Sequence, residues 1–145
     1  LVALNALGVL RRGDGHLRLR LLELRQVGED RRQRSALHLE AGERVANDRL
    51  TGSICDAIIT PTPGALTWQL NSHQLSGGVA VSDEEALAAM AFAWRHFKIV
   101  IEPGAVVALA GLLSGKLDVA GKTVCVLVTG GNVDRAVFAR ALALA

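Results

Sequence analysis

From Thr123 to Val128 the chain is an unbroken apolar, largely β-branched run that stops at Thr129-Gly130-Gly131-Asn132 and gives way to a helical stretch opened by Asp134. A run with no polar face suits a strand inside a parallel sheet covered on both sides. The same alternation appears upstream. Val79 to Val81 reads as a short strand, and Ser82 with Glu85 three positions on forms a capping box. Leu87, Met90, Ala91, Trp94 and Phe97 then recur at helical spacing and mark a core face, through a helix that Lys98 ends. Ile99 to Ile101 reads as a further strand. Pro103 opens an apolar helix that Gly115 stops, and because that helix is apolar nearly all round it should be buried. Strands alternating with helices predict an α/β fold with an open parallel sheet. Ahead of this unit, Thr60 to Gly64 reads as an ordered turn, each proline fixing its own φ.

The first 35 residues read differently. They hold eight Arg, no Lys and four acids, against six bases and seven acids over 51–145. Leu17 to Leu24 alternates as a strand would and then breaks into Arg25 to Arg34, with hardly an apolar residue to bury. Two units are therefore expected: an Arg-rich head of undefined structure over 1–35, either a frameshift or truncation product or a genuine divergent N-terminus, and a folded unit over 36–145. The head has no aromatic residue for base stacking, which argues against a nucleic-acid partner. At 145 residues the chain suffices for one domain or part of one. No apolar run has membrane-spanning length and Leu1 to Leu10 lacks the basic start of a signal peptide, so no membrane partner and a cytoplasmic location are expected. Cys55 and Cys125 have no metal-ligand spacing and read as free thiols, and His16, His38, His73 and His96 form no ligand set. No metal site is expected.

On physical grounds the candidate site is the strand end Thr129-Gly130-Gly131-Asn132. Ligands of open α/β sheets bind beyond the carboxyl ends of strands, where glycines let backbone approach an anion or a flat cofactor. Glu102, directly after the apolar run Ile99 to Ile101, occupies a comparable position and could converge on the same ligand; a carboxylate near a helix start is also favoured by the macrodipole alone.

Taken in order, Glu40-Ala41-Gly42-Glu43-Arg44, Ser53-Ile54-Cys55-Asp56-Ala57, Pro63-Gly64-Ala65-Leu66-Thr67, Val81-Ser82-Asp83-Glu84-Glu85, Ile101-Glu102-Pro103-Gly104 and Val128-Thr129-Gly130-Gly131-Asn132-Val133-Asp134 resemble the C-terminal part of the pyridoxal-phosphate (PLP) dependent threonine dehydratase and serine racemase family. The resemblance implies part of the large domain of a fold-type II PLP enzyme, an incomplete open parallel sheet with flanking helices. It implies PLP as cofactor, with Thr129 in place of the family's serine as the hydroxyl that meets the ring nitrogen, Gly130, Gly131 and Asn132 forming the turn, and Glu102 near the ring. A neutral hydroxyl does not force protonation of that nitrogen as a carboxylate would, which suits loss of a β-hydroxyl. The implied activity is a lyase reaction converting L-threonine or L-serine to a 2-oxo acid and ammonia. Such chemistry needs a lysine to hold the cofactor and move protons, and Lys98, Lys116 and Lys122 lie in no matching motif, so no catalytic residue is assigned. The family's glycine-rich phosphate loop has no counterpart in Gly77-Gly78, and the cation-binding acids of some members would fall near Glu29 and Asp30, out of context. This chain alone is therefore expected to be an inactive fragment prone to self-association or homo-oligomer formation. The competing expectation is a non-catalytic α/β ligand-binding or interaction module.

Overall fold

The computed structural model describes residues 6–13, 16–26, 42–46 and 50–145. Among the described residues four strands form one sheet: β1 (Ala6–Gly13), β2 (His16–Gln26), β3 (Leu75–Val81) and β4 (Thr123–Val126), in the spatial order β3-β2-β1-β4. Four helices accompany it there: α1 (Ala65–Gln74), α2 (Asp83–Phe97), α3 (Pro103–Leu113) and α4 (Arg135–Leu142), with a 3₁₀ turn at Asp56–Ile58. The α/β class read from the sequence is the class observed.

The sheet itself is mixed. Only β2 and β3 pair in parallel, while β1 pairs antiparallel with both β2 and β4, so the expectation of a parallel sheet is corrected for two of the three pairings. The reason lies in the connection. Pairing of β1 with β2 runs down to Gly13 opposite His16, and strands joined across two residues can only run antiparallel. The Leu17 to Leu24 alternation does lie in a strand, so the head contributes two strands; its remaining residues, with Glu29, Asp30 and His38, lie outside the described residues.

The core sits where α2 meets α3. Ser82 caps α2 through the expected box: its hydroxyl accepts from Glu85 N–H at 3.2 Å, and Glu85 carboxylate accepts from Ser82 N–H at 2.7 Å. The buried stripe of α2 is Ala86, Leu87, Ala89, Met90, Ala91 and Ala93. Trp94 and Phe97, expected in the core, are instead exposed, Trp94 packing edge-on against Phe138 of α4 with ring centroids 6.0 Å apart. Alanines face α3 because small side chains let two helices approach closely, and large aromatics are displaced to the flank. Helix α3 is buried at every residue from Pro103 to Gly111, as its all-round apolar sequence predicts. Gly115 takes the left-handed conformation at φ +70° that ends it. Burial of Met90, Ile101, Val106 and Val107, each with no exposed surface, contributes about 1.5–3 kcal/mol per side chain.

Ile99 to Ile101 forms no strand. It runs beside the strand-end turn instead, joined to it by one hydrogen bond from Glu102 N–H to Gly130 carbonyl at 3.1 Å. The Thr60 to Gly64 stretch is held as expected: Arg44 Nε donates to the Pro63 carbonyl at 2.9 Å, and Pro63 is buried.

Candidate functional site

Strand β4 stops at Val126, and Leu127 to Asn132 continue without regular structure to Asp134, which caps α4 by accepting from Ala136 N–H at 2.7 Å. Two close approaches explain the glycines of this turn. A Cβ on Gly130 would stand 2.7 Å from Glu102 Oε1, and one on Gly131 would stand 2.8 Å from the Val100 carbonyl oxygen. Gly130 and Gly131 thus let the strand end lie flat against Val100–Glu102. Glu102 and Gly130, 28 residues apart in the chain, lie side by side.

Glu102 is the N-cap residue of α3 but makes no side-chain capping bond; its carboxylate turns to Gly130. Pro103 at the first helical position has no N–H to satisfy, which lowers the demand for a cap. Thr129 is exposed, and its hydroxyl makes no hydrogen bond among the described residues.

Beside the turn lies a cleft of about 340 Å³. Ile54, Asp56 and Ala57 form one wall, and Glu102, Asn132 and Asp134 belong to the other. Gly104, which also lines it, is closely packed: a Cβ there would lie 3.3 Å from Ile58 Cγ2 and 3.5 Å from Ala57 Cβ, so a side chain would need a small shift of Ile58. The wall carrying Ile54 is anchored from behind: Ser53 Oγ donates to Asp83 Oδ1 at 3.1 Å, Ile54 N–H donates to Asp83 Oδ2 at 3.2 Å, and Cys55 N–H donates to Ser53 Oγ at 2.9 Å. Sequence reasoning missed this wall, because nothing local to Asp83 shows that its partners lie 30 residues upstream. Cys55 is fully buried behind it, and burial, reinforced by the Asp83 charge, pushes its thiol well above the usual range. Cys125 is exposed, and neither cysteine is in a disulfide.

The three lysines are engaged elsewhere. Lys98 Nζ donates to the Arg95 carbonyl at 2.8 Å, Lys116 Nζ pairs with Glu85 at 2.6 Å and donates to the Ala80 carbonyl at 2.7 Å, and Lys122 Nζ pairs with Asp118 at 3.0 Å. Lys116 and Lys122 are thus both in surface ion pairs. Gly77 and Gly78 lie within β3, Gly78 opposite Glu23 in the ladder and Gly77 at the register irregularity beside it. Among the described residues no group of three His, Cys, Asp or Glu is placed to hold a metal ion, and no helix is long and apolar enough to cross a membrane.

The glycine turn lies against the start of α3, and the cleft beside them reaches Glu102 and Asn132 but not Thr129, Gly130 or Gly131; ligands of open α/β proteins bind beyond such strand ends. Comparison with known proteins identifies the kind. Residues 14–130 match the family described as pyridoxal-phosphate dependent enzyme, and the chain belongs to that family. The match begins inside the Arg-rich head. The chain is 39% identical over 95 residues to β-hydroxyaspartate dehydratase of Paracoccus denitrificans, an alignment covering 66% of this chain and 30% of that protein. It is 38% identical over 82 residues to L-threonine ammonia-lyase of Thermotoga maritima, covering 57% of this chain and 20% of that one. The solved serine racemase of Dictyostelium discoideum superposes with a TM-score of 0.61 at 30% identity, over 70% of this chain and 32% of that chain. The chain thus spans a third or less of the length of these relatives, and its fold is that of part of a fold-type II PLP enzyme.

PLP is the cofactor of this family. The residues at the turn are compatible with it: the exposed Thr129 hydroxyl, without a hydrogen bond among the described residues, can donate to or accept from a heteroaromatic nitrogen. The two glycines keep the strand end narrow at the same place.

Proposed function

We propose that this chain forms the ring-nitrogen side of the cofactor site in a PLP-dependent amino-acid ammonia-lyase, a dehydratase that converts L-threonine- or L-serine-type substrates to a 2-oxo acid and ammonia. The observation that carries this reading is the exposed Thr129 hydroxyl beyond the strand end, without a hydrogen bond among the described residues, with Gly130 and Gly131 next to it and the Glu102 carboxylate, not used for capping, against Gly130. The similarity to a dehydratase and an ammonia-lyase favours β-hydroxy amino acids as substrate class.

When bound, PLP supplies an electron sink for the pair left by removal of the substrate α-proton. In this proposal Thr129 Oγ1 holds the ring nitrogen, Gly130, Gly131 and Asn132 form the turn that presents it, and Glu102 lies beside the ring. The chain by itself binds without turnover, since Lys98, Lys116 and Lys122 are each engaged away from the cleft and none lines it. It also self-associates, through apolar surface such as Leu66 (72% exposed), Leu127 (51%) and Val128 (42%).

The test is a titration of the chain with PLP, followed by quenching of Trp68 and Trp94 fluorescence, beside the Thr129→Val variant. Saturable binding that Thr129→Val weakens by up to about tenfold, the worth of one hydrogen bond, is the expected result. Neither protein should release ammonia from threonine or serine. Absence of saturable binding, or equal affinity of the variant, would overturn the reading.

A further inference from the structure

We infer that Asp83 is a positioning residue for the cleft: its carboxylate clasps Ser53 and Ile54 and so holds the Ile54–Ala57 wall against the turn that carries Asn132 and Asp134. This rests on the cofactor-site reading above for its functional meaning, while the clasp itself stands on geometry.

Asp83 is the first residue of α2, immediately after the Ser82 cap, where a carboxylate is favoured by the helix macrodipole. The helix does not need it for capping, because Ser82 and Glu85 close the box between themselves. Both Asp83 oxygens are spent on another segment, Oδ1 on the Ser53 hydroxyl and Oδ2 on the Ile54 amide, and Ser53 Oγ relays the hold to the Cys55 amide. Three consecutive residues are thereby tied to one rigid helix start. Their continuation, the Asp56–Ile58 turn, is fixed at its far end by the contact of Ala57 and Ile58 with Gly104. Ile54, Asp56 and Ala57 face the cleft between these two anchors. Releasing the first anchor frees the wall to move while α2 and its packing on α3 persist.

Cys55 is a built-in reporter, since it directly follows the clasp and has no exposed surface. In a Cys125→Ser background Cys55 is the single thiol left in the chain, and its labelling by a disulfide reagent reads local opening of the wall. Asp83→Ala should raise the labelling rate about tenfold or more, the shift that losing a charge-assisted hydrogen bond allows. Asp83→Asn, which keeps one acceptor oxygen, should fall between. Ser82→Ala is the control: it weakens the same helix start without touching the clasp, so at an equal thermal midpoint it should leave Cys55 protected. PLP affinity, measured by the tryptophan titration, should fall with Asp83→Ala and hold with Ser82→Ala.

If Cys55 stays protected in Asp83→Ala, or if Ser82→Ala exposes it equally, the clasp is overturned. If Cys55 opens but PLP affinity is unchanged, the wall does not serve the cofactor and the inference falls. If the parent chain binds no PLP, the cofactor-site reading fails by itself, and the labelling comparison still decides whether Asp83 holds the wall.

Discussion

Helices α2 and α3 start 20 residues apart and use their acids in opposite ways. At α2 every carboxylate with a partner holds structure: Glu85 closes the capping box and takes the Lys116 ion pair at 2.6 Å, while Asp83 grips the Ser53–Ile54 segment. At α3 the N-cap residue Glu102 caps nothing, and its carboxylate lies against Gly130. The start of α3 is secured by Pro103 and by burial of every residue from Pro103 to Gly111. An acid whose local structural task is done by something else is available for chemistry. That contrast separates Glu102 from its neighbours more sharply than burial or charge does.

The largest test bears on the contact that Glu102 and Val100 make with the turn. Gly131→Ala places a methyl group 2.8 Å from a backbone carbonyl, which cannot rotate away, so overpacking should lower stability by about 2–3 kcal/mol in denaturant unfolding. Gly130→Ala meets the end of a side chain instead, and Glu102 can swing aside, so the cost should be nearer about 1 kcal/mol. In a Glu102→Ala background that smaller cost should vanish while the Gly131 cost remains. If both costs survive, the glycines are there for some reason other than the approach of Glu102 and Val100.

Next in size is a pH effect from the α2 side. Burial, with the nearby Asp83 and Asp56 charges, holds the Cys55 thiol protonated in the folded state well above its ordinary value of 9.0. Above about pH 9 the unfolded chain sheds this proton and the folded chain keeps it, so the unfolded state binds fewer protons and stability falls as pH rises. The stabilising effect is fully present below that pH. The slope should approach about 1.4 kcal/mol per pH unit. There is no tyrosine to confuse the window, and Cys55→Ala should flatten the slope. An unchanged slope in that variant would mean the thiol is not shielded behind the wall.

The same contrast shows which parts of the fold were legible in the sequence. The capping box at Ser82 and Glu85, the buried α3, the stop at Gly115 and the cap at Asp134 all depend on residues within one or two turns of each other, and all were read correctly. The outward turn of Trp94 and Phe97 was not legible, because it depends on α3 meeting the alanines of α2 rather than on anything in α2 itself. Helix α1 was missed because it has no apolar stripe: Leu66 is 72% exposed, Leu70 is 56% exposed, and none of its residues is buried. The β1–β2 pairing was hidden by its arginines, although Asp14-Gly15 between the strands is a strong hairpin signal. At the site, strand-end logic pointed to Glu102 and Thr129, and the structure sets Glu102 against the adjacent Gly130, whereas the Asp83 clasp spans 30 residues and leaves no local trace.

The smallest effect, at Glu102, tests the contrast most directly when set beside Ser82→Ala. Ser82→Ala removes the hydroxyl that accepts from Glu85 N–H and loosens the reciprocal bond, so it should cost about 1–2 kcal/mol. Glu102→Gln occupies the corresponding place on α3, keeps the side-chain volume, and breaks no capping bond, since none is made. What it gives up is the attraction of a charge to the helix start, about 0.3–0.5 kcal/mol for one half-buried group. The two variants should therefore differ several-fold in their cost to unfolding and reverse in their effect on PLP titration, where Ser82→Ala is silent and Glu102→Gln shifts the affinity. Equal costs to stability would return Glu102 to the ordinary role of a helix-start acid and leave Thr129 as the one side chain that the turn offers to a ligand.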